Sequence, residues 1–457
     1  MVKKEVNTNY IIIIAIAMLI YFSHVKQQDN YLQGSITRSI EISLPDNQPT
    51  ISSNGLLHTT YIHQGVGLKY TILDKFTNSV VSLLTVQSGN VVDSDMAIDS
   101  DNNVHIVYFT PTSTDATYVK YINNPTPGGS PLVENIDLDP ISTPLLGVSI
   151  DIDDNDAPHI ATYTTNSITY TKKTAVGWST PIEISNYTIP PFFANQNSLV
   201  SISIDSDDDV FIAYLLNQIL YNIPTPYSGY TYSVIEISKI NQTGISHGLA
   251  DFVFIPNFAN LNKVFLDLDS EGNPHTVQVV YPNNVFRYSY PGITYYDLLG
   301  FNSLNIYNQL FFAQEYISSY SDIAAIGNNP TPDIYAPVTS GGPFQVYPFF
   351  LFGYIKLYHT QDFGSTWDSE VLINVSNSSI GPVSINNLKF NNNLNIAFVH
   401  KYPSGLPINF SSTIIYDALK VVWRDSNMVW NENTVDTVVS SLSNTYKFKD
   451  INIEEGL

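Results

Sequence analysis

The carboxylates best spaced to bind a metal ion lie in two short acidic segments. "DIDDND", residues 151–156, and "DSDDD", residues 205–209, present carboxylates at alternate positions. Calcium prefers oxygen ligands of this kind, so the first segment predicts a calcium site formed by Asp151, Asp153 and Asp156. Neither segment continues into the glycine and distal glutamate of an EF-hand loop, and Asp and Asn also cap tight turns with no ion present. Calcium binding and turn capping both remain open for these residues.

Histidine recurs just after similar acidic segments, at His58, His105, His159 and His275. Histidine is a common zinc ligand, so four copies raise the hypothesis of a metal ring. The four residues, however, occupy equivalent places in successive repeats, whereas Zn–N bonds are only ~2.0–2.1 Å long. Equivalent places in successive repeats circle an axis at larger separations. The pattern therefore favours histidines that bond neighbouring backbone and pack between repeats, and Phe211 at the same place in another repeat agrees with this.

The acidic segments belong to a strand–turn–strand repeat. Four segments align over seven residues: "DSDNNVH" (99–105), "DDNDAPH" (153–159), "DSDDDVF" (205–211) and "DSEGNPH" (269–275). Each lies between two apolar runs and predicts a β-hairpin whose turn is built from Asp, Asn and Gly. With weaker copies included, the final positions are 58, 105, 159, 211, 275, 333 and 395, spaced by 47 to 64 residues.

Further strands are predicted after each hairpin. The third strand ends in an aromatic residue, and these residues are Tyr70, Tyr121, Tyr170, Tyr221, Tyr288, Tyr358 and Trp423. A fourth strand is predicted at the "IEIS" segments, residues 182–185 and 235–238.

Four antiparallel strands repeated along the chain are typical of an all-β fold, the β-propeller. We predict seven four-stranded blades, with six or eight as alternatives because three repeats are degenerate. Pairing of a terminal strand often closes such a ring and removes exposed edges. A third "IEIS", residues 40–43, predicts that residues 36–44 close the ring, with "TYKFKDINI", residues 445–453, as a second contributor.

One turn carries a more specific motif of the form S/T-x-D-x-G-x-T-W. Its residues are Thr360, Asp362, Gly364, Thr366 and Trp367. The motif resembles the Asp-box, or BNR repeat, of sialidase-like β-propellers, and it follows a predicted third strand, as in that family. The Asp can accept backbone N–H groups of the turn, Gly permits a positive φ, and Trp packs beneath the hairpin. The resemblance implies a structural box away from the central pocket, and degenerate copies end at Trp178 and Trp430.

The same resemblance raises glycosidase chemistry. Sialidases use three converging arginines, a Tyr–Glu pair and an Asp, but this chain has only Arg38, Arg287 and Arg424, none of them on a predicted inner strand. Glu134 and Glu315 are carboxylates that the sequence cannot pair. We therefore predict no enzymatic activity, with a polysaccharide-active glycosidase or lyase as the alternative.

The composition excludes two further classes of function. A net charge of −22 disfavours nucleic acid, whose phosphates require a basic surface. The absence of cysteine excludes disulfides, thiolate metal sites and a cysteine nucleophile. No cofactor is predicted other than the calcium ion considered above.

The N-terminus indicates export. "MVKK" is followed by an uncharged apolar run, residues 10–22, without small residues for cleavage, which predicts a signal peptide or membrane anchor at residues 1–30 and an extracellular domain at residues 31–457. Candidate N-glycosylation sites are Asn186, Asn241, Asn374, Asn377 and Asn409.

Tyrosine- and phenylalanine-rich segments supply the predicted contact surface. The strongest candidate lies in "GGPFQVYPFFLFGY", and its aromatic residues are Phe344, Tyr347, Phe349, Phe350, Phe352 and Tyr354. Aromatic loops on a rigid scaffold contact sugars and proteins well. We predict an adhesion or binding module for a glycan or surface protein, on an archaeal cell or a virion. A structural subunit that self-assembles into a surface array is a further alternative.

Overall fold

The computed structural model describes residues 55–111, 115–121, 131–136, 145–164, 167–186, 199–219, 231–255, 261–280, 285–289, 323–326, 333–340, 352–361, 368–376, 379–387, 394–403, 415–424, 429–440 and 448–455. The predicted membrane anchor at residues 10–22 and the predicted closing strand at residues 36–44 lie outside these ranges. No helix in the described ranges is long and apolar enough to cross a membrane. The described residues are all-β, and their strands form separate antiparallel sheets.

The first three sheets are built from the N-terminal strands and the last strand of the chain. Sheet 1 contains β28 (Phe448–Glu455), β1 (Leu56–His63), β2 (Gly67–Asp74) and β3 (Ser79–Ser88), in that order. Sheet 2 contains β4 (Asp93–Ile98), β5 (Val104–Phe109), β6 (Ala116–Tyr121) and β7 (Leu132–Ile136). Sheet 3 contains β8 (Leu145–Ile152), β9 (Pro158–Thr164), β10 (Ser167–Thr174), β11 (Gly177–Trp178) and β12 (Ile182–Asn186), and both of the last two strands pair with β10.

The remaining strands follow the same pattern. Sheet 4 contains β13 (Val200–Ile204), β14 (Val210–Ile219), β15 (Thr231–Asn241) and β16 (Gly244–Ile255). Sheet 5 contains β17 (Leu261–Leu268), β18 (Pro274–Val280) and β19 (Val285–Ser289). Sheet 6 contains β20 (Ala324–Ile326), β21 (Asp333–Ser340), β22 (Phe352–Thr360) and β23 (Asp368–Ser376). Sheet 7 contains β24 (Ser379–Asn387), β25 (Leu394–Pro403), β26 (Ile415–Arg424) and β27 (Trp430–Ser440).

These sheets are the blades of a β-propeller, as the repeat predicts, and six of them are complete blades of four or five strands. Each sheet is antiparallel. In sheets 2 to 7, a short connection of five or six residues joins the first strand to the second. We call the end of the sheets that carries these connections the turn end. The opposite end, where second strands are joined to third strands, is the loop end.

Hydrophobic clusters between neighbouring sheets hold the blades together. Between sheets 1 and 2, for example, Tyr70 and Ile72 of β2 are buried with Ile106 and Tyr108 of β5. Burial of a large side chain of this kind contributes roughly 1.5–3 kcal/mol, so each blade depends on its neighbours to cover its faces. A single blade has no interior of its own.

The structure corrects two details of the predicted strands. In sheet 4 the segment ending at Tyr221 does not form the third strand, because β14 continues to Ile219 as a ten-residue second strand. The second "IEIS", residues 235–238, consequently lies in the third strand β15 and not in a fourth strand. The apolar run of "FIAYLLNQIL" is long enough for two strands in the sequence, but the backbone uses it for one.

The innermost position of sheet 1 is occupied by the last strand of the chain. β28 pairs antiparallel with β1, from Leu57 opposite Glu455 to His63 opposite Phe448. The segment "TYKFKDINI" overlaps this strand. N- and C-terminal parts of the chain thus share one sheet, which protects the edge of β1.

Candidate functional site

A buried Asp–His–Tyr unit is formed at the turn end of sheet 2. Nε2 of His105 lies 2.9 Å from Oδ2 of Asp99, and its Nδ1 lies 2.7 Å from the hydroxyl of Tyr118. Tyr118 is reached diagonally across the sheet, because it pairs with Val107, two residues after His105. The aromatic partner is therefore Tyr118, three residues before Tyr121, the residue that ends the strand.

Sheet 3 repeats the unit with the same contacts. Nε2 of His159 lies 3.0 Å from Oδ2 of Asp153, and Nδ1 lies 2.7 Å from the hydroxyl of Tyr170. Sheet 5 repeats the Asp–His contact, with 3.2 Å between Nε2 of His275 and Oδ2 of Asp269. In sheet 1, Nδ1 of His58 lies 2.6 Å from the hydroxyl of Tyr70. The histidine repeat is thus a structural repeat, although its partners are side chains and not the backbone groups that we predicted.

Burial and hydrogen bonding fix the protonation of the unit. Burial alone would raise the pKa of Asp99, but hydrogen bonds from Asn103, His105 and Lys120 outweigh it and lower that pKa to about 2. Burial lowers the pKa of His105 and raises that of Tyr118, so the histidine is neutral and the phenol keeps its proton. In this state Tyr118 donates to Nδ1 and Nε2 donates to the carboxylate.

Such a chain of groups resembles the relay of a nucleophilic enzyme, but its accessibility argues for a structural role. His105 and Asp99 are 0% and 1% exposed, so no substrate can reach them. Removal of one partner would leave a buried polar group unsatisfied, which costs about 1–3 kcal/mol. The unit therefore stabilises the hairpin and does not supply a general base.

The aspartate that opens each unit also caps the adjoining turn. In sheet 2, Oδ1 of Asp99 accepts the N–H groups of Asp101 and Asn103 at 3.2 and 2.7 Å. The fourth residue of the turn has a positive φ, and in the four aligned turns it is Asn102, Asp156, Asp208 and Gly272. Asn, Asp and Gly tolerate this conformation best, which explains why the acidic segments recur with these residues.

The structure does not bring Asp151, Asp153 and Asp156 together as calcium ligands. Oδ2 of Asp151 accepts the N–H of Ile204 in the next sheet at 2.8 Å, whereas Asp153 caps its own turn. Asp156 points the other way and accepts the N–H and hydroxyl of Ser100, both at 2.8 Å. In the part of the chain that the structure describes, no three His, Asp or Glu side chains are grouped so as to hold a metal ion.

Carboxylates and hydroxyls of the first strands link neighbouring sheets from sheet 2 to sheet 6. Asp95 accepts the N–H of Ile150 at 3.0 Å, and Asp267 accepts the N–H of Ala325 at 2.6 Å. Ser149 and Ser201 accept backbone N–H groups of their next sheets in the same way. The first strand of a sheet is an edge strand, so some of its N–H groups have no backbone partner within that sheet. Side chains from the preceding sheet accept these N–H groups. This role was not predicted from the sequence, although alternate Asp and Ser residues in the first strands are its signal.

Tryptophan residues at the turn end clamp neighbouring sheets. Nε1 of Trp178 donates to Glu134 of sheet 2 at 2.8 Å, Lys173 bonds the same carboxylate, and the indole contacts Tyr118 edge-on at 5.0 Å between ring centroids. Between sheets 6 and 7 the cationic part of this arrangement recurs: Arg424 bonds Glu370, and its guanidinium lies 4.6 Å from the centre of the Trp430 indole ring. Glu134 and Arg424 are thereby explained as structural residues.

Several predicted site residues lie wholly or partly outside the described residues. Of the Asp-box, Thr360 ends β22, and the structure describes none of Asp362, Gly364, Thr366 and Trp367. Of the aromatic contact segment, Phe352 and Tyr354 begin β22, and the remainder falls in the undescribed connection of residues 341–351. Among the glycosylation sequons, Asn377 and Asn409 are undescribed, Asn186 ends β12, Asn374 lies within β23, and Asn241 lies at the β15–β16 turn. Glu315 and Arg38 are also outside, and Arg287 lies in β19.

Comparison with known proteins gives no family for the chain. No protein-family model matches it, and no curated protein matches it. Solved structures do match. The WD40 domain of SCAP from fission yeast is similar with 9% identity and a TM-score of 0.39, over 87% of each chain. The SapL1 lectin in complex with α-methyl fucoside is 10% identical with a TM-score of 0.34, over 75% of this chain and 96% of the lectin.

A third solved structure of this kind is the GH43 endo-arabinanase from Bacillus licheniformis. It is 13% identical, with a TM-score of 0.30, and the match covers 63% of this chain and 97% of the arabinanase. These similarities concern the fold.

Proposed function

We propose that the chain is a binding module that uses the loop end of the propeller to hold an uncharged glycan or an uncharged protein surface. One observation carries this proposal. Three connections at the loop end, residues 220–230, 341–351 and 404–414, are eleven residues long and contain no charged residue. The chain as a whole has a net charge of −22, so three long segments without any charged residue at one end differ clearly from the rest of the sequence.

The two ends of the sheets differ in chemistry as well as in length. The four aligned turns at the turn end, residues 99–103, 153–157, 205–209 and 269–273, together hold eleven carboxylates. The three long connections instead hold tyrosine and phenylalanine, among them Tyr227, Tyr347 and Phe350. Aromatic rings supply large contact areas at little entropic cost, and long loops on a rigid scaffold commonly carry binding sites. A partner without charge avoids repulsion by the acidic protein.

A binding role is also favoured over catalysis by the state of the titratable groups. Asp99, His105, Asp153 and His159 are buried in hairpin units, and Glu134 belongs to a clamp between sheets. A glycosidase needs a pair of carboxylates on either side of its substrate. Asp99, Asp153 and Glu134 are engaged in structural contacts instead.

The proposal also includes the number of blades, the position of the Asp-box and the membrane tether. We take sheet 5 as the seventh blade, since first strands pack in the cyclic order β28, β4, β8, β13, β17, β20 and β24, returning to β28. We place an Asp-box at residues 360–367, in the connection between the third and fourth strands of sheet 6. The propeller would be tethered outside a cell or on a virion through residues 10–22.

A glycan array combined with a turnover assay tests the function. The test variant replaces Phe344, Tyr347, Phe349 and Phe350 by Ser, and the control variant replaces Val176 and Val429 by Ser. Both controls are exposed, at 99% and 55%, and both lie at the turn end. We expect saturable binding to neutral glycans, lost in the test variant and kept in the control, without product release. Product release would refute the proposal, as would binding that survives in the test variant.

A further inference from the structure

The outer strand of sheet 1 is an exposed edge with an unusual composition. β3 is the terminal strand of its sheet and pairs only with β2 among the described strands. Its sequence, "SVVSLLTVQS", contains no charged residue. Natural edge strands are commonly protected by charged side chains, and an uncharged, apolar edge is a site where another strand can add.

The other outer strands of the complete blades carry charge. β7 contains Glu134, β12 contains Glu183, and β16 contains Asp251. β23 and β27 also contain acidic residues, Glu370 and Asp436 among them. β3 therefore differs from the outer strands at the corresponding places in five other sheets.

The apolar side chains of β3 are turned to solvent. Val80, Val81 and Leu83 are 37%, 56% and 46% exposed, and Phe76 in the turn before the strand is 80% exposed. Leu84 and Val86, on the other face, pack against the cluster between sheets 1 and 2. The exposed set thus forms one apolar strip along the rim of the propeller.

We propose that β3 pairs with β3 of a second copy of this chain, antiparallel and about a two-fold axis, to form a dimer. A two-fold contact is formed by the same surface of both copies, so the side chains of β3 meet the side chains of a second β3. A charged outer strand would bring like charges together, which is unfavourable across a strand pair. An uncharged strand meets this requirement. The composition of β3 accordingly fits a second copy.

The bulges of β3 define the extent of the contact. The register with β2 shifts at Val86 and at Val81, which leaves Ser82–Thr85 as the regular stretch. A two-fold antiparallel pair places one residue opposite its own copy, and Leu83 is the exposed leucine of this stretch. We assign Leu83 to the axis, with Val81 packing beside it. The ladder is short and ends at the bulges. Because both copies use the same edge, the contact closes as a dimer and does not extend into a fibre.

Sedimentation velocity of the full chain in detergent, at a series of concentrations, tests the dimer. Val81→Lys should raise the dimer dissociation constant at least about 100-fold, because the substitution occurs twice in the contact and each copy costs about tenfold or more. Val133→Lys in β7 is the matched control, since Val133 is 55% exposed on another outer strand. Association through the N-terminal apolar run would respond to neither substitution. A monomer at all concentrations, or a dimer that Val81→Lys leaves intact, would overturn the proposal.

A second experiment locates the axis. The chain has no cysteine, so Leu83→Cys introduces a single thiol. Residues directly opposite in a strand pair have Cβ atoms about 4.5–5.5 Å apart, close enough for a disulfide after small adjustment. We expect rapid oxidation to a covalent dimer for Leu83→Cys and slow oxidation for Val133→Cys. Equal rates for the two variants would contradict the assigned axis.

Discussion

Nε1 of Trp178 donates a hydrogen bond to Oε2 of Glu134 at 2.8 Å, and this bond crosses the boundary between two neighbouring blades. Trp178 lies in β11, which pairs with the third strand of sheet 3, and Glu134 lies in β7, the outer strand of sheet 2. A basic residue, Lys173, lies opposite the tryptophan in β10 and bonds the same carboxylate. Between sheets 6 and 7, Arg424 likewise pairs with Glu370 of the neighbouring sheet and stacks on the ring of Trp430.

The first prediction concerns this clamp. Trp178→Phe keeps a ring edge against Tyr118 but removes the indole donor, so the free energy of unfolding should fall by about 1–2 kcal/mol. Urea unfolding of the single variants and of Trp178→Phe with Glu134→Ala gives the coupling energy, which should be about 1 kcal/mol. A coupling near zero would show that the two side chains are neighbours without an energetic link.

The second prediction concerns the buried units. Tyr118→Phe removes the hydroxyl that bonds Nδ1 of His105 and leaves that nitrogen buried without its partner. The free energy of unfolding should fall by about 1–3 kcal/mol. Tyr402→Phe is the control, since Tyr402 is half-buried and stacks on Tyr416 with its ring, which the variant keeps. The control should change stability by less than about 0.5 kcal/mol. Equal losses in both variants would mean that the hydroxyl bond contributes nothing specific.

The repeat allowed much of this architecture to be predicted from sequence, because hairpins leave a local signal. The repeat of Asp, a positive-φ residue and His at fixed spacing identifies the turn and the second strand of each blade. The first strand before the turn and the third strand after the hairpin can then be inferred. The contact between His105 and Tyr118 was not predicted, because a diagonal contact depends on the register of two strands. The bonds from Asp95 and Asp267 to the next sheet were missed for a related reason. Alternate Asp and Ser residues are a local signal of the role itself, but the partners are backbone N–H groups more than fifty residues away, and no local pattern identifies those groups.

The third prediction concerns the turns. Asp208 has a φ of 59°, a conformation that costs a residue with a Cβ roughly 1–2 kcal/mol relative to glycine. Asp208→Gly and Asp207→Gly add the same flexibility to the unfolded chain, but only the former relieves strain in the folded chain. Asp208→Gly should therefore be more stable than Asp207→Gly by about 1–2 kcal/mol in urea unfolding. The reverse order would contradict the assigned turn conformation.

The fourth prediction is a loss of stability at mildly acidic pH. Burial lowers the pKa of His58 from its ordinary value of 6.5 to about 4, and burial also lowers the pKa of His105 and His159. Between pH 6.5 and pH 4 the unfolded chain therefore binds more protons than the folded chain, so stability is complete above pH 6.5 and falls as the pH drops. At pH 5 the loss from His58 alone should be roughly 2 kcal/mol. A second loss should begin below about pH 3.8, where Asp99, whose pKa is about 2, begins to lose its advantage over the unfolded chain.

Urea unfolding between pH 8 and pH 4 measures this profile. His58→Gln should flatten it between pH 6.5 and pH 4, because the variant has lost one of the buried groups that take up protons on unfolding. His247→Gln is the matched control, since His247 is 44% exposed and belongs to none of the buried hairpin units. A wild-type profile that is flat down to pH 4 would contradict the buried, neutral histidines on which the hairpin units depend.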